Sequence, residues 1–172
     1  MDLYEVVRTR RSVRAYKSDP IDDETLNRVL EAVRIAPSGS NRQPWRFVLV
    51  KDEKLKRRLA AACNKQAFVA EAPLVVVACG FKIPIDRGDY MGDMGMLVDV
   101  SIAFTHLILA ARAEGLGTCW IGAFDNDQVK KLLKIPEDVN VVAVSPLGYP
   151  KQGFGNPGAR RQMNEIVSVD KF

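Results

Sequence analysis

One histidine in 172 residues removes every metal centre built on several imidazoles. The three cysteines, Cys63, Cys79 and Cys119, are odd in number, widely spaced and without a C-x-x-C pair. They exclude a disulfide frame and a cysteine zinc site, and they suit reduced thiols in a cytoplasmic protein. There is no G-x-x-x-x-G-K-[ST] phosphate loop, and Gly92 to Gly95 is too sparse for a dinucleotide fingerprint. The opening MDLYEVVRTRR has neither an apolar stretch nor a small-residue cleavage site, so no secretory signal is expected. Repeats, linkers and low-complexity tracts are missing too, and residues 1–172 read as one domain.

The charge balance is modest. With 25 basic and 21 acidic residues the net charge is +4, and no aromatic residues are interleaved among the basic ones for base stacking. The basic run LKRRL reads as an exposed helix face beside Asp52 and Glu53, so no nucleic-acid partner is expected.

What the chain has is a long apolar segment, Met96 to Glu114. At helical spacing Val100, Ala103, Leu107 and Ala110 form one stripe, Leu97, Ser101, Phe104, Ile108 and Ala111 a second, and Val98, Ile102 and Leu109 a third. A helix apolar on nearly every side is buried. Asp99, Ser101, Thr105, His106 and Arg112 interrupt it, so no bilayer span of about 20 apolar residues is expected. It is either the core helix of a monomer or a helix whose far side a second copy covers, since small domains have little interior. Gly115 and Gly117 end it.

Around it the pattern predicts helices over 3–9, about 23–35 (capped by Asp22 or Asp23), 53–63, 126–134 and, more weakly, 65–71. Strands are expected over Trp45–Val50, Leu74–Cys79, Thr118–Ile121 and Val139–Ser145, with a loop over 81–95 and an irregular tail from Gly148 that either crosses a partner subunit or is disordered. Strands separated by helices of uneven length, with one long buried helix, predict an α+β sandwich with a central sheet and helices on both sides.

Acid–base chemistry is poorly supplied. Asp99 and His106 stand seven residues apart on one helix, roughly 10 Å along its axis, too far for a hydrolase pair within one subunit. His106 reads as a satisfied buried histidine. A redox cofactor would have to bring the reactivity. Three stretches could hold one. In an extended Arg10-Arg11-Ser12-Val13-Arg14, the side chains of Arg10, Ser12 and Arg14 share one side, a phosphate grip or a solvated basic turn. Pro37-Ser38-Gly39-Ser40-Asn41-Arg42-Gln43-Pro44-Trp45 suits the edge of a flat heterocycle, or is a helix-to-strand turn. Gly115 to Phe124 leaves room for a ring beside an apolar strand end, or Trp120 is core.

Together RRSVRAY, PSGSNRQPW, LILAARAEGLGTCWIGAF and LGYP…RRQMNEIV resemble the nitroreductase family of FMN-dependent oxidoreductases, in order and over most of the chain. The resemblance implies a three-layer α/β/α sandwich with a central mixed sheet, entwined as a homodimer with two FMN sites at the interface. It implies hydride transfer from NADH or NADPH through flavin N5 to a small-molecule acceptor, a nitroaromatic, quinone or similar, in a ping-pong cycle. Arg10, Arg11, Ser12 and Arg14 match the phosphate-and-ribityl segment, with Arg14 the candidate stabiliser of charge on the reduced ring. Pro37, Ser38, Gly39, Asn41 and Gln43 match the segment given by the other subunit. Ile121, Gly122 and Ala123 match the strand end whose N–H faces N5, and Arg160 or Arg161 the basic tail.

The chain departs from the family where Gly158 or Ala159 stands in place of a tail lysine or arginine. Lys65 and Gln66 are secondary candidates for flavin contact. Rival expectations are a flavin storage or sensing protein, a reductive dehalogenase or dehydrogenase on the same fold, and a basic interaction domain without cofactor.

Overall fold

The computed structural model describes residues 1–82, 94–156 and 158–172. Four helices begin at aspartates whose carboxylates accept a backbone N–H three residues on: Asp2 before α1 (Leu3–Thr9), Asp22 before α2 (Asp23–Arg34), Asp52 before α3 (Glu53–Ala62) and Asp125 before α6 (Asn126–Leu133). Such caps satisfy amides that the helix itself leaves open. Between them lie β1 (Trp45–Val50), α4 (Phe68–Glu71), β2 (Leu74–Phe81), the central α5 (Gly95–Ala113) and β3 (Gly117–Thr118). The last strand is β4 (Val139–Gly148). Of the loop expected over 81–95, residues 83–93 lie outside the described residues.

The sheet runs in the order β1-β2-β4-β3, and every strand pair is antiparallel. Among the described residues, the expected mixture of parallel and antiparallel pairing is confined to one residue pair, a parallel bridge between Ser12 and Thr118. The reason lies in the connections. After β1 the chain goes out along α3, turns at Asn64 and Lys65 with φ of 54° and 58°, and returns through α4, so β2 starts beside the end of β1. A parallel pair needs a single crossover instead.

β2 divides the core by alternation. Leu74, Val76 and Ala78 face one cluster with Val29, Val33, Val100, Phe104 and Leu107 from α2 and α5. Val75, Val77 and Cys79 face the other, with Leu59, Val69, Val129 and Cys63 from α3, α4, α6 and the turn after α3. Three layers with the sheet between them result, as the pattern predicts.

Other expectations need correction too. The strand expected over Thr118–Ile121 is shorter: β3 stops at Thr118 because the Cys119 N–H donates to Ser145 Oγ (3.1 Å), and the chain rejoins the sheet only where Ile121 bridges Val144. Within LKRRL, Lys56 is not on a solvated face. It is 2% exposed, its ammonium donating to Ala72 O (2.7 Å) and pairing with Glu53 (2.7 Å). The stem of a lysine buries readily once its charge is met.

By length and composition α5 could cross a bilayer, at a mean hydropathy of 1.6, against the reading that its polar residues forbid this. Here, however, Val100, Ala103, Phe104, Leu107 and Ala111 are buried in the domain. Gly115, at φ 77°, ends the helix as expected.

All three cysteines are free and buried. Burial pushes the Cys63 and Cys79 thiols up to about 11 and raises that of Cys119. At pH 8 only about a thousandth of Cys63 or Cys79 would then be thiolate, the reactive form. Native protein is expected to resist iodoacetamide at both positions for as long as denatured protein takes to react fully. Labelling of native Cys63 or Cys79 at the denatured rate would contradict this core.

Candidate functional site

The segment after α1 is extended and seated on the edge strand. The Val13 N–H donates to Thr118 O (2.8 Å), the Lys17 N–H to Tyr149 O (2.9 Å) and the Lys151 N–H to Ala15 O (3.0 Å). Tyr16 is buried, its hydroxyl donating to Val13 O (2.6 Å) and its N–H to Glu71 Oε2 (3.2 Å). Burial drives the Tyr16 phenol far above its ordinary value, so it stays a hydrogen-bond donor.

Val13 is buried while Ser12 and Arg14 are exposed. That is the alternation the sequence predicts for an extended phosphate grip. Gly117 makes the seating possible, because a Cβ there would stand 2.7 Å from Val13 Cγ2 and 2.8 Å from its Cβ. Arg10 and Arg11 are half-buried. Arg11 Nη1 donates to Arg8 O (2.8 Å), while its Nε is buried without a hydrogen-bond partner. A buried guanidinium N–H without an acceptor is uncommon, and it marks this segment as one whose donors are not all spent within the chain.

A cavity of about 320 Å³ opens here, with Ser12, Arg14 and Ala15 on one side and Gln152, Gly153 and Phe154 on the other. Sequence reasoning missed this second wall. Its signal was Gly153-Phe154-Gly155, whose glycines take φ of 71° and 63°. The Phe154 ring lies 3.8 Å beneath the Arg112 guanidinium, and Arg112 Nε donates to Thr9 Oγ1 (3.1 Å). Arg160 and Arg161 are exposed on the tail, and Arg160 donates to Gly158 O and Ala159 O.

The amide-rich loop is ordered by its own side chains. Ser38 Oγ accepts the Gln43 N–H (2.9 Å), and Gln43 Nε2 donates to Asn41 O and Asn41 Oδ1 (both 3.1 Å). Ser40, Asn41 and Gln43 have φ of 52°, 53° and 50°. Non-glycine residues in this region cost about 1 kcal/mol or more each, a strain that clusters at ligand clamps. Pro37, Asn41 and Gln43 are exposed, Ser38 and Gly39 half-buried.

In the third stretch Ile121 is buried, Gly122 and Ala123 are exposed, and Trp120 is 39% exposed rather than core. Trp120 meets the buried Phe104 edge-on, ring centroids 4.7 Å apart, so this strand end is pinned to the middle of α5. Lys65 and Gln66 stand at the turn between α3 and α4, Gln66 donating to Cys63 O (2.9 Å). His106 Nδ1 is 3.1 Å from Ala32 O, and Asp99 faces Gly39 instead of His106.

One chain does not bring all three stretches to one point. The phosphate-type segment is moored near Arg112 through Thr9, and the amide loop near Asp99 through Gly39. Those anchors are thirteen residues apart on α5, about 20 Å at about 1.5 Å per residue. Along the helix, on the side away from the sheet, runs an apolar groove of about 560 Å³ lined by Met94, Leu97, Val98, Ile102, His106 and Leu109. Among the described residues, no group of three or more His, Cys, Asp or Glu is placed to hold a metal ion.

A domain whose exposed chemistry is donors for phosphate and for a heterocycle edge, set on a rigid sheet, belongs to the class that carries a bound cofactor to its reaction. The family model of the nitroreductase family matches residues 7–83 and 65–149, and the chain belongs to that family. A relative from Archaeoglobus fulgidus, provisionally named NADH dehydrogenase/NAD(P)H nitroreductase, is 34% identical over 154 residues, 87% of this chain and 86% of the relative. The crystal structure of a nitroreductase family protein from Clostridium novyi NT is 37% identical, with a TM-score of 0.81 over 88% of this chain and 86% of that one. The NADPH:FMN oxidoreductase from Vibrio harveyi, solved with NAD+, is 27% identical, with a TM-score of 0.89 over 99% of this chain and 77% of that one.

Proposed function

We propose that the protein is a homodimeric oxidoreductase that binds FMN and passes reducing equivalents from NADH or NADPH to a nitroaromatic, a quinone or a similar small acceptor. The observation that carries this reading is the seating of the segment through the buried Val13, which leaves Ser12 and Arg14 exposed and lining one cavity.

The residues present fit FMN. Arg10, Arg11, Ser12 and Arg14 would hold the phosphate and ribityl chain, and Gly122 and Ala123 leave backbone open where the ring would lie. Pro37, Ser38, Gly39, Asn41 and Gln43 would close over the ring from a second copy, since their own chain keeps them at the far end of α5. When bound, FMN supplies hydride acceptance and donation at N5. Arg14 contributes a fixed positive charge, worth most where water is excluded. The strained loop holds its amides in place before any ligand arrives, so little reorganisation is required on binding. No side chain is asked to act as a nucleophile.

The second copy is supported by the apolar groove of α5, whose lining Leu97 and Val98 are 41% and 39% exposed. Contiguous apolar surface of this kind marks an interface. The exposed Ile166, Val167, Val169 and Phe172 of the tail suit the same partner. Arg160 or Arg161, exposed on the tail, would add positive charge for the phosphate. A cytoplasmic setting agrees with three buried free thiols.

The test is an anaerobic titration of the purified, FMN-loaded protein with each nicotinamide, followed by acceptors. The flavin band is expected to bleach on stoichiometric NADH or NADPH and to return with a quinone or nitroaromatic. Initial rates should give parallel double-reciprocal lines, because donor and acceptor use one open face by turns. A yellow protein that neither nicotinamide bleaches would be a flavin carrier instead.

A further inference from the structure

Asp99 is a carboxylate on the buried side of a helix that is otherwise almost wholly apolar there, and it is 2% exposed. A charge in such a place persists only when donors meet it, because removal from water is costly. One donor is the backbone of the amide-rich loop: Asp99 Oδ1 accepts the Gly39 N–H at 3.1 Å. Gly39 opens the tight turn Gly39–Asn41 and is followed by the left-handed Ser40, Asn41 and Gln43. The loop closes on itself through Ser38 Oγ and the Gln43 N–H, so its internal shape does not require Asp99. What Asp99 sets is how that preformed loop sits on the body of the protein. At the other end of the loop, the tether is the Phe81 N–H donating to Pro44 O (3.0 Å).

We infer that Asp99 is a positioning residue for the cofactor: its carboxylate holds the turn Gly39–Asn41 in the orientation that presents Asn41 and Gln43 to FMN. The inference rests on the reading that this loop takes part in holding FMN. Asp99 touches no ligand itself and acts through the Gly39 amide. It also ties the loop to α5, the helix along which the second copy is proposed to pack, so assembly and loop orientation share one element.

The experiment is a double-mutant cycle on FMN affinity, measured by quenching of flavin fluorescence, with Asp99→Ala and Gly39→Pro. Proline removes the N–H from the other side of the same bond. It suits the first position of a helical turn, and Ser38 before it is already extended at φ −144° and ψ 160°. Each variant is expected to weaken FMN binding about tenfold or more, the loss typical of a hydrogen bond to a charged group. The double variant should be no weaker than the weaker of the two single ones. Asp99→Asn keeps an acceptor and should recover most of the affinity and the native circular dichroism of the bound flavin, which a merely structural role would leave unmoved.

Additive effects, or FMN binding by Asp99→Ala within twofold of the parent, would overturn the inference. If Asp99→Ala does not fold, Asp99→Leu, which keeps the volume and lacks an acceptor, takes its place in the cycle with the same outcomes expected. Replacing Ser12 and Arg14 in parallel separates the two failures. If that pair releases FMN while Asp99→Ala keeps it, only the positioning role is lost. If that pair keeps FMN, the site itself is misplaced.

Discussion

Ser12→Ala with Arg14→Ala is expected to strip the protein of FMN and leave the fold intact. Both side chains are exposed and neither is part of the core. What seats the segment is its backbone and its neighbours, through the Val13 N–H to Thr118 O, the buried Val13 and the Tyr16 hydroxyl to Val13 O. Those contacts survive the two substitutions. Each lost charge-assisted bond to phosphate is worth about 1.5–3 kcal/mol, so the pair together should weaken binding by roughly two to four orders of magnitude. Far-UV circular dichroism and the unfolding temperature of the apoprotein should match those of the parent. A purified double variant that retained its yellow band unchanged would place the site elsewhere.

Mixing two inactive variants should restore activity. Ser12→Ala with Arg14→Ala damages the phosphate end, and Asn41→Ala with Gln43→Ala damages the ring end, so each homodimer carries a lesion in every site. If each site takes its phosphate end from one chain and its amide loop from the other, a mixed dimer gathers both lesions into one site. Its other site is then wholly native. After unfolding and refolding together, differently tagged variants isolated as mixed dimers should bind one FMN tightly and show about half the parental rate per dimer. A site made from one chain alone predicts no recovery. The roughly 20 Å between the Asp99 and Arg112 anchors makes the first outcome the expected one.

Much of the scaffold was legible from the chain because its signals are local. Asp22 caps α2 as the pattern allowed, and β1 runs over the six residues that the pattern marked. The alternation of Ser12, Val13 and Arg14 was readable for the same reason. Lys56 was misread because what buries it includes Ala72 O, sixteen residues away, and its local partner Glu53 by itself is equally at home on a solvated face. Gln152 to Gly155 went unnoticed as a wall of the cavity, since a short glycine-rich turn has no periodicity to mark what it faces.

By itself the sequence determined the elements, the buried central helix and the donor chemistry of the three stretches, since period, caps and residue type are properties of neighbours along the chain. Only the tertiary structure decided which donors remain unspent. It left Arg11 Nε without a partner, gave Asp99 to Gly39 instead of His106, and put the phosphate segment and the amide loop at opposite ends of α5. Hydrogen-bond satisfaction depends on groups 60 or more residues apart meeting within about 3 Å, and no local pattern encodes that.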